Sequence, residues 1–336
     1  MINKTIKQTH KKRSFKIFIT LAAILILAMS FEYTMGCYEK NLYLPPGQLI
    51  DINNHKMHIY AKGFGSPTIV FTVGSGTPCA YTDYYYIQKE LQKITRTVSY
   101  DRPGFGWSES TPLPRTINNQ VNELHNLLIK SGEKPPYILV GHSLASLEVI
   151  HYAQLFPGEV SGIILIDGGN PTLYANYSEA FALSLNRISK GLQITGIARI
   201  LGSIDILLPL VGENERCKQL PDKLQKIDKA MFYSKLGNDF NINSLQNINA
   251  NAKEVVAKGK LGDIPLVILT AGKDSKWQDS QIDLKNWSSN SKQETLSDAI
   301  HYIHWSHSDI VIDRLQEMVR QTKALLNTHS RKQGDL

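Results

Sequence analysis

Cysteine is scarce: Cys37, Cys79 and Cys217 are the whole supply in 336 residues. Three thiols cannot build a multi-bridge disulfide framework, and their positions show no metal-ligand spacing. Two of them could pair in an exported domain; isolated small apolar side chains are the equal alternative. Low-complexity tracts and internal repeats are also missing, and with 42% hydrophobic residues the chain has material for one large core. Acids are absent from the first sixteen positions, where Lys4, Lys7, Lys11, Lys12, Arg13 and Lys16 contribute +6 of the net +7 and leave +1 for everything after them. The basic balance therefore belongs to a tail. A nucleic-acid footprint needs clustered charge on the folded surface, so a nucleic-acid partner is excluded.

Charge is missing again from residues 17–31, directly after that tail. A basic flank followed by an apolar run is a membrane-insertion or export signal. The run is short against the ~20 residues of a full span, and Glu32 interrupts it. An uncleaved anchor is the favoured reading, with secretion after signal cleavage as the alternative. In both, the basic end stays in the cytoplasm and the main domain lies outside. The expected organisation is a tail and membrane segment at 1–36, a core formed by 45–170 and 260–328, and an insertion at 171–259.

From residue 49 the pattern becomes regular. Residues 49–53 and 56–61 read as strands joined at Asn53-Asn54. Short β-branched runs at 68–73, 95–100, 137–140, 160–166 and 266–270 read as buried strands, with a further strand at 293–296. Helical stretches separate them at 81–93, 116–130, 144–155, 278–287 and 309–326; Ile117, Val121, Leu124, Leu127 and Leu128 mark one helix face. Such alternation implies crossover connections and a mostly parallel α/β sheet. What residues 171–259 lack is a convincing strand. They read as a helical cap, with 192–210 as a lid or core helix in preference to a membrane-associating one.

Gly141-His142-Ser143-Leu144-Ala145 lies between a strand and a helix. A serine there sits on a sharp turn with its hydroxyl above the carboxyl edge of the sheet. Gly141 and Ala145 supply the small residues that the crowded backbones need, and Leu144 N–H is one candidate oxyanion donor. The second is Ser75 N–H in Gly74-Ser75-Gly76, after the 68–73 strand. Serine needs a base, and the chain order of this topology is Ser, acid, His. His301 is the candidate base; His304 and His307 are expected to line the mouth or face solvent. Asp274, leaving the 266–270 strand, is the candidate acid, and Asp167, at the end of the 160–166 strand, is held in reserve. No carboxylate pattern supports a metal site among the late histidines, and no cofactor is expected.

These segments together (69–76, 99–108 with its Asp-Arg-Pro-Gly-Phe-Gly-Trp-Ser run, 140–146, 163–168, 266–274 and 301–304) resemble the α/β-hydrolase fold superfamily over about residues 48–326, in the group with a helical cap. The resemblance implies Ser143 as nucleophile, Asp274 as acid, His301 as base and the Ser75 and Leu144 N–H groups as oxyanion hole. The chain departs from the family pattern at Val73 before the oxyanion turn, at Ala145-Ser146 after the elbow and at Ile300 before the base. The last leaves His304 open as an alternative base.

The expected function is an extracytoplasmic esterase or lipase-like serine hydrolase acting on a small-molecule or lipid-like acyl substrate. Amidase, peptidase, thioesterase and acyltransferase reactions use the same triad. A proline-releasing peptidase would want an acidic cluster in the cap, for which only Glu213 and Glu215 offer themselves. A non-catalytic binding protein on the same fold is the reading from a different class.

Overall fold

The structure, a computed structural model, describes residues 2–204, 206, 207, 216, 219–272 and 275–334. Its centre is an eight-stranded sheet: β1 (Gln48–Ile52), β2 (His55–Lys62), β3 (Thr68–Thr72), β4 (Arg96–Tyr100), β5 (Tyr137–His142), β6 (Val160–Ile166), β7 (Leu266–Ala271) and β8 (Ser291–Leu296). The spatial order is β1-β2-β4-β3-β5-β6-β7-β8. β2 pairs antiparallel with β1 and β4, and every other pairing is parallel. The β1–β2 turn has Asn53 and Asn54 at φ 52° and 67°, the double left-handed geometry that asparagine tolerates in a two-residue hairpin.

β3 and β5 are buried along their whole length, as continuous apolar runs in a parallel sheet should be. Alternate residues feed opposite faces. Val70, Val98, Leu139, Ile163, Leu165 and Ile268 pack on one side with the Ile117–Lys130 and Ala145–Leu155 helices. Ile69, Phe71, Ile138, Val140, Ile164 and Leu269 pack on the other with the Tyr85–Leu91 and Ser308–Gly334 helices. Each such fully buried side chain contributes about 1.5–3 kcal/mol. Thr116 caps the Ile117–Lys130 helix by accepting from Asn119 N–H.

Two helices are shorter than the apolar pattern suggests. The 81–93 stretch breaks at Tyr84 into Ala80–Asp83 and Tyr85–Leu91. The 192–210 stretch is broken between helices Ala180–Ile194 and Ile197–Ser203, because Gly196 takes a left-handed φ of 71° between them; residues 205 and 208–210 lie outside the described residues. Between β6 and β7 the described residues are helical throughout their regular elements, which continue with Asp222–Lys235, Asp239–Gln246 and Ile248–Lys258. These helices lie over the carboxyl ends of β3 and β4: Asn241 reaches Ser75, and a side chain on Gly104 would collide with Phe240.

The N-terminal helix runs from Ile2 to Leu42 and is not interrupted at Glu32. Its Arg13–Leu42 portion is long and apolar enough to cross a membrane. Glu32 and Glu39 both hydrogen-bond the guanidinium of Arg199 on the Ile197–Ser203 helix. Burial opposes the Arg199 charge, but the two carboxylates outweigh burial and hold its pKa above the usual value. Cys37 is exposed and Cys79 buried, both as free thiols; Cys217 lies outside the described residues.

Candidate active site

The turn after β5 places Ser143 at φ 53°, a left-handed conformation that costs a non-glycine residue about 1–2 kcal/mol. The surroundings hold it there. Ser143 N–H donates to Ile166 O at 3.1 Å, and Ser143 O accepts from Ser146 N–H at 3.1 Å and Gly169 N–H at 3.0 Å. The helix crowds the strand: a Cβ on Gly141 would stand 2.8 Å from Val149 Cγ2 and 3.2 Å from Ala145 O. Ala145 is fully buried. Ser146, where the family pattern has glycine, donates its hydroxyl to Gly169 O at 2.6 Å and so ties this turn to the next one.

His301 Nε2 lies 3.0 Å from Ser143 Oγ. On its other side His301 Nδ1 lies 2.5 Å from Asp167 Oδ2. A carboxylate accepts, so Nδ1 carries the proton and Nε2 presents its lone pair to the serine hydroxyl. Asp167 is buried and stands at φ 44°. Its Oδ1 accepts from Ala271 N–H at 3.0 Å, and its N–H donates to Leu269 O at 2.7 Å. The end of β7 thus aims the carboxylate. The carboxylate on His301 is that of Asp167, the reserve candidate; Asp274, the first candidate for the acid, lies outside the described residues. The β6–β7 pairing sets the end of β6 against β7, whose Leu269 O and Ala271 N–H hold Asp167 in place.

The expectation for His304 is corrected. The side chain neither lines the mouth nor faces solvent; it is buried, with Nε2 3.2 Å from Asp83 Oδ2. Arg216 joins Asp83 to Asp228 in the same buried group. His304 is therefore committed elsewhere, and His301 alone of the two reaches Ser143. His307 is partly exposed and pairs with Asp298 at 3.3 Å.

Ser75 and Leu144 both line the cavity over Ser143. Among the described residues neither backbone N–H donates to another protein group, so both are available to an oxyanion. The Ser75 side chain donates to Asn241 Oδ1 at 2.8 Å, and Asn241 Nδ2 donates to Asn186 Oδ1 at 2.6 Å. Sequence reasoning missed this link, since Asn241 lies in an Asn-rich stretch without a motif. A side chain on Gly74 would stand 2.7 Å from His142 Nδ1, which accounts for glycine before Ser75.

Two further residues escaped the sequence. Tyr174 is buried and lines the cavity beside Ser143; burial raises its pKa, so its hydroxyl stays protonated. His142, quoted in the motif without a role, sits under the histidine loop with Nε2 3.1 Å from His301 O. Burial, and then the neighbouring His304 and His301, push its pKa well below the usual value. It stays neutral, and Nε2–H donates to that carbonyl.

The cavity holds about 580 Å³ and is mainly apolar, with Tyr174, Tyr177, Leu245, Ile248, Trp277 and Ile300 around the serine. Among the described residues no group of three or more His, Cys, Asp and Glu side chains is placed to hold a metal ion. A nucleophile, a base oriented by a buried carboxylate and two free amides beside an apolar cavity can carry acyl transfer.

Known proteins agree at the level of fold. An uncharacterized protein of Bacillus subtilis, YbdG, is 32% identical over 165 residues, 48% of this chain and 51% of that protein. An uncharacterized protein of Schizosaccharomyces pombe is 24% identical over 312 residues, 82% of this chain and 56% of that protein. The chain thus spans about half the length of these curated relatives. Among solved structures, an esterase of Exiguobacterium antarcticum superposes with TM-score 0.61 at 15% identity, covering 82% of this chain and 99% of that one. A Bacillus megaterium epoxide hydrolase gives 0.62 at 17%, covering 81% and 100%. The family profile described as alpha/beta hydrolase fold matches residues 67–308. With well over half of its length matched, and with the sheet order and connections described above, the chain belongs to the alpha/beta hydrolase fold family.

Proposed function

We propose that the protein is a serine hydrolase that cleaves esters through an acyl-enzyme, anchored to a membrane by its N-terminal helix with the catalytic domain outside the cytoplasm. The observation that carries the reading is the contiguous Asp167–His301–Ser143 chain, at 2.5 and 3.0 Å. Ser143 Oγ attacks the acyl carbonyl as His301 Nε2 takes its proton. Asp167 holds the tautomer and stabilises the imidazolium. The oxyanion forms against the N–H groups of Ser75 and Leu144, with the Ala145–Leu155 helix dipole behind them. The leaving alcohol takes the proton from Nε2. Water activated by the same nitrogen then releases the acid.

Serine at the elbow supports acyl transfer over epoxide opening, which in this fold uses an aspartate at that position. The apolar cavity suits an acyl chain better than a charged amino terminus. Glu213 and Glu215, the residues a peptidase reading would use, lie outside the described residues. The basic tail before residue 17 supports a cytoplasmic N-terminus.

The test is a fluorophosphonate probe combined with p-nitrophenyl esters of increasing chain length. Wild type is expected to label at Ser143 and to hydrolyse at least one ester at neutral pH. Ser143→Ala should lose labelling and drop kcat by roughly 10⁴-fold or more. A wild-type protein that neither labels nor cleaves any ester refutes the proposal.

A further inference from the structure

The Ala180–Ile194 helix has two working faces. Ala182 and Asn186, one turn apart, line the cavity over Ser143. Phe181, Leu185 and Ile188, at i, i+4 and i+7, point away from it and are 78%, 52% and 62% exposed. The next helix, Ile197–Ser203, repeats the pattern with Ile197, Ile200 and the following Ile204 exposed at i, i+3 and i+7. A soluble surface rarely concentrates so many branched apolar side chains on adjoining helices.

The corner between these helices touches the N-terminal helix. A Cβ on Gly196 would stand 2.7 Å from Ala28 O, so the two backbones meet there. Three residues on, Arg199 is gripped by Glu32 and Glu39 and lies over the Tyr233 ring at 4.8 Å. The level of this contact matters. Residues 17–31 are uncharged and Glu32 ends the run. Ala28 therefore lies about 6 Å inside the charged end of the segment. An interfacial helix buries its apolar face to a depth of about 5–10 Å. The exposed apolar face of the cap thus adjoins the inserting helix at the depth where lipid headgroups meet acyl chains.

We propose that this face of the cap, centred on Phe181, Leu185 and Ile188, is seated in the bilayer surface at which the N-terminal helix emerges, and that the site takes its acyl ester from that leaflet. The occupant is lipid because the face is continuous with the membrane-crossing candidate and is locked to it by the Arg199–Glu32–Glu39 clamp. The proposal rests on the N-terminal helix being inserted. The substrate class follows from the second face of the same helix: a chain leaving the leaflet beside Leu185 has the apolar cavity beside Asn186 to enter.

The test uses the full chain in phosphatidylcholine nanodiscs, with Cys37→Ala and Cys217→Ala as background. Environment-sensitive labels are placed through Leu185→Cys, Ile188→Cys, Leu25→Cys in the anchor, and Lys292→Cys on β8 at the far sheet edge. Quenching by nitroxide lipids should be strong at 25, clear at 185 and 188, and absent at 292. Arg199→Ala should weaken quenching at 185 and 188 while leaving 25 unchanged. Quenching at 25 with none at 185 or 188 overturns the cap proposal and leaves the anchor standing; no quenching at 25 removes both. On the activity side, Leu185→Asp/Ile188→Asp should lower hydrolysis of a long-chain ester held in vesicles about tenfold while a soluble acetate ester stays within about twofold. Equal losses on both esters overturn delivery from the leaflet.

Discussion

Two neighbouring turns at the carboxyl edge of the sheet carry non-glycine residues at positive φ: Ser143 at 53° after β5 and Asp167 at 44° after β6. They are stitched together by Ser143 N–H to Ile166 O, Gly169 N–H to Ser143 O and the Ser146 hydroxyl to Gly169 O. Their strain is alike, but its support differs. The Ser143 turn is supported locally, by the small residues Gly141 and Ala145 and the helix that starts beside them. The Asp167 turn is supported from outside, by Leu269 O and Ala271 N–H of β7, more than a hundred positions later in the chain. Strain of this kind persists only where the surrounding structure over-determines it. A local support leaves a motif in the sequence; a distant one does not.

The sharpest way to break the comparison is at the acid. Asp167→Asn keeps the amide oxygen that accepts from Ala271 N–H but no longer holds the right tautomer of His301. Ester hydrolysis is expected to fall about 10⁴-fold in kcat, with thermal stability little changed. Asp274→Asn should stay within about threefold of wild type. The opposite ranking, measured on one ester under one set of conditions, would return the role to Asp274.

A smaller effect probes the local support. Gly141→Ala forces a methyl against Val149 Cγ2 and Ala145 O. Overpacking of this kind costs about 1–3 kcal/mol, read as a fall in the midpoint of thermal unfolding. An unchanged midpoint would show that the elbow tolerates a side chain there and that its crowding is not what selects glycine.

The smallest effect concerns what lies beneath both turns. His142 is held neutral, with a folded pKa depressed below the reference 6.5. Its contribution to stability is therefore intact above about 6.5 and is lost as pH falls from there towards the folded pKa, because only the unfolded chain takes up the proton. One such proton corresponds to about 1.4 kcal/mol per pH unit at most. His151 is depressed in the same direction, so wild type carries both slopes. His142→Gln, which can still donate to His301 O, should remove one and flatten the decline between pH 6.5 and 4.5. Parallel curves for the two proteins would mean that His142 is already protonated in the folded state.

The legible parts of the molecule were those written in short stretches of chain. Asn53-Asn54 announces its hairpin because asparagine accepts left-handed φ. The 68–73, 137–140 and 160–166 runs announce buried strands because both their faces are covered. Ser143, Ser75 and His301 could be named in order because the first two follow strands and the third precedes the last helix. The acid was open between two aspartates, each at a strand end; the contact of Asp167 with His301 spans 134 positions and leaves no local pattern. His304 was misplaced because its partner, Asp83, is 221 positions away. The break at Gly196 was passed over because apolar residues continue on both sides of it.

By itself the sequence determined the alternation of strands and helices, the turn that lifts Ser143 above the sheet, and a basic, acid-free tail ahead of an uncharged run, since each depends on neighbours within a few residues. Tertiary structure alone decided which carboxylate orients His301, how Asn241 steadies the Ser75 turn, and why Glu32 can stand inside a long apolar helix. Those outcomes depend on which groups meet when strands register and helices dock, and Arg199, which neutralises Glu32, lies 167 residues away along the chain.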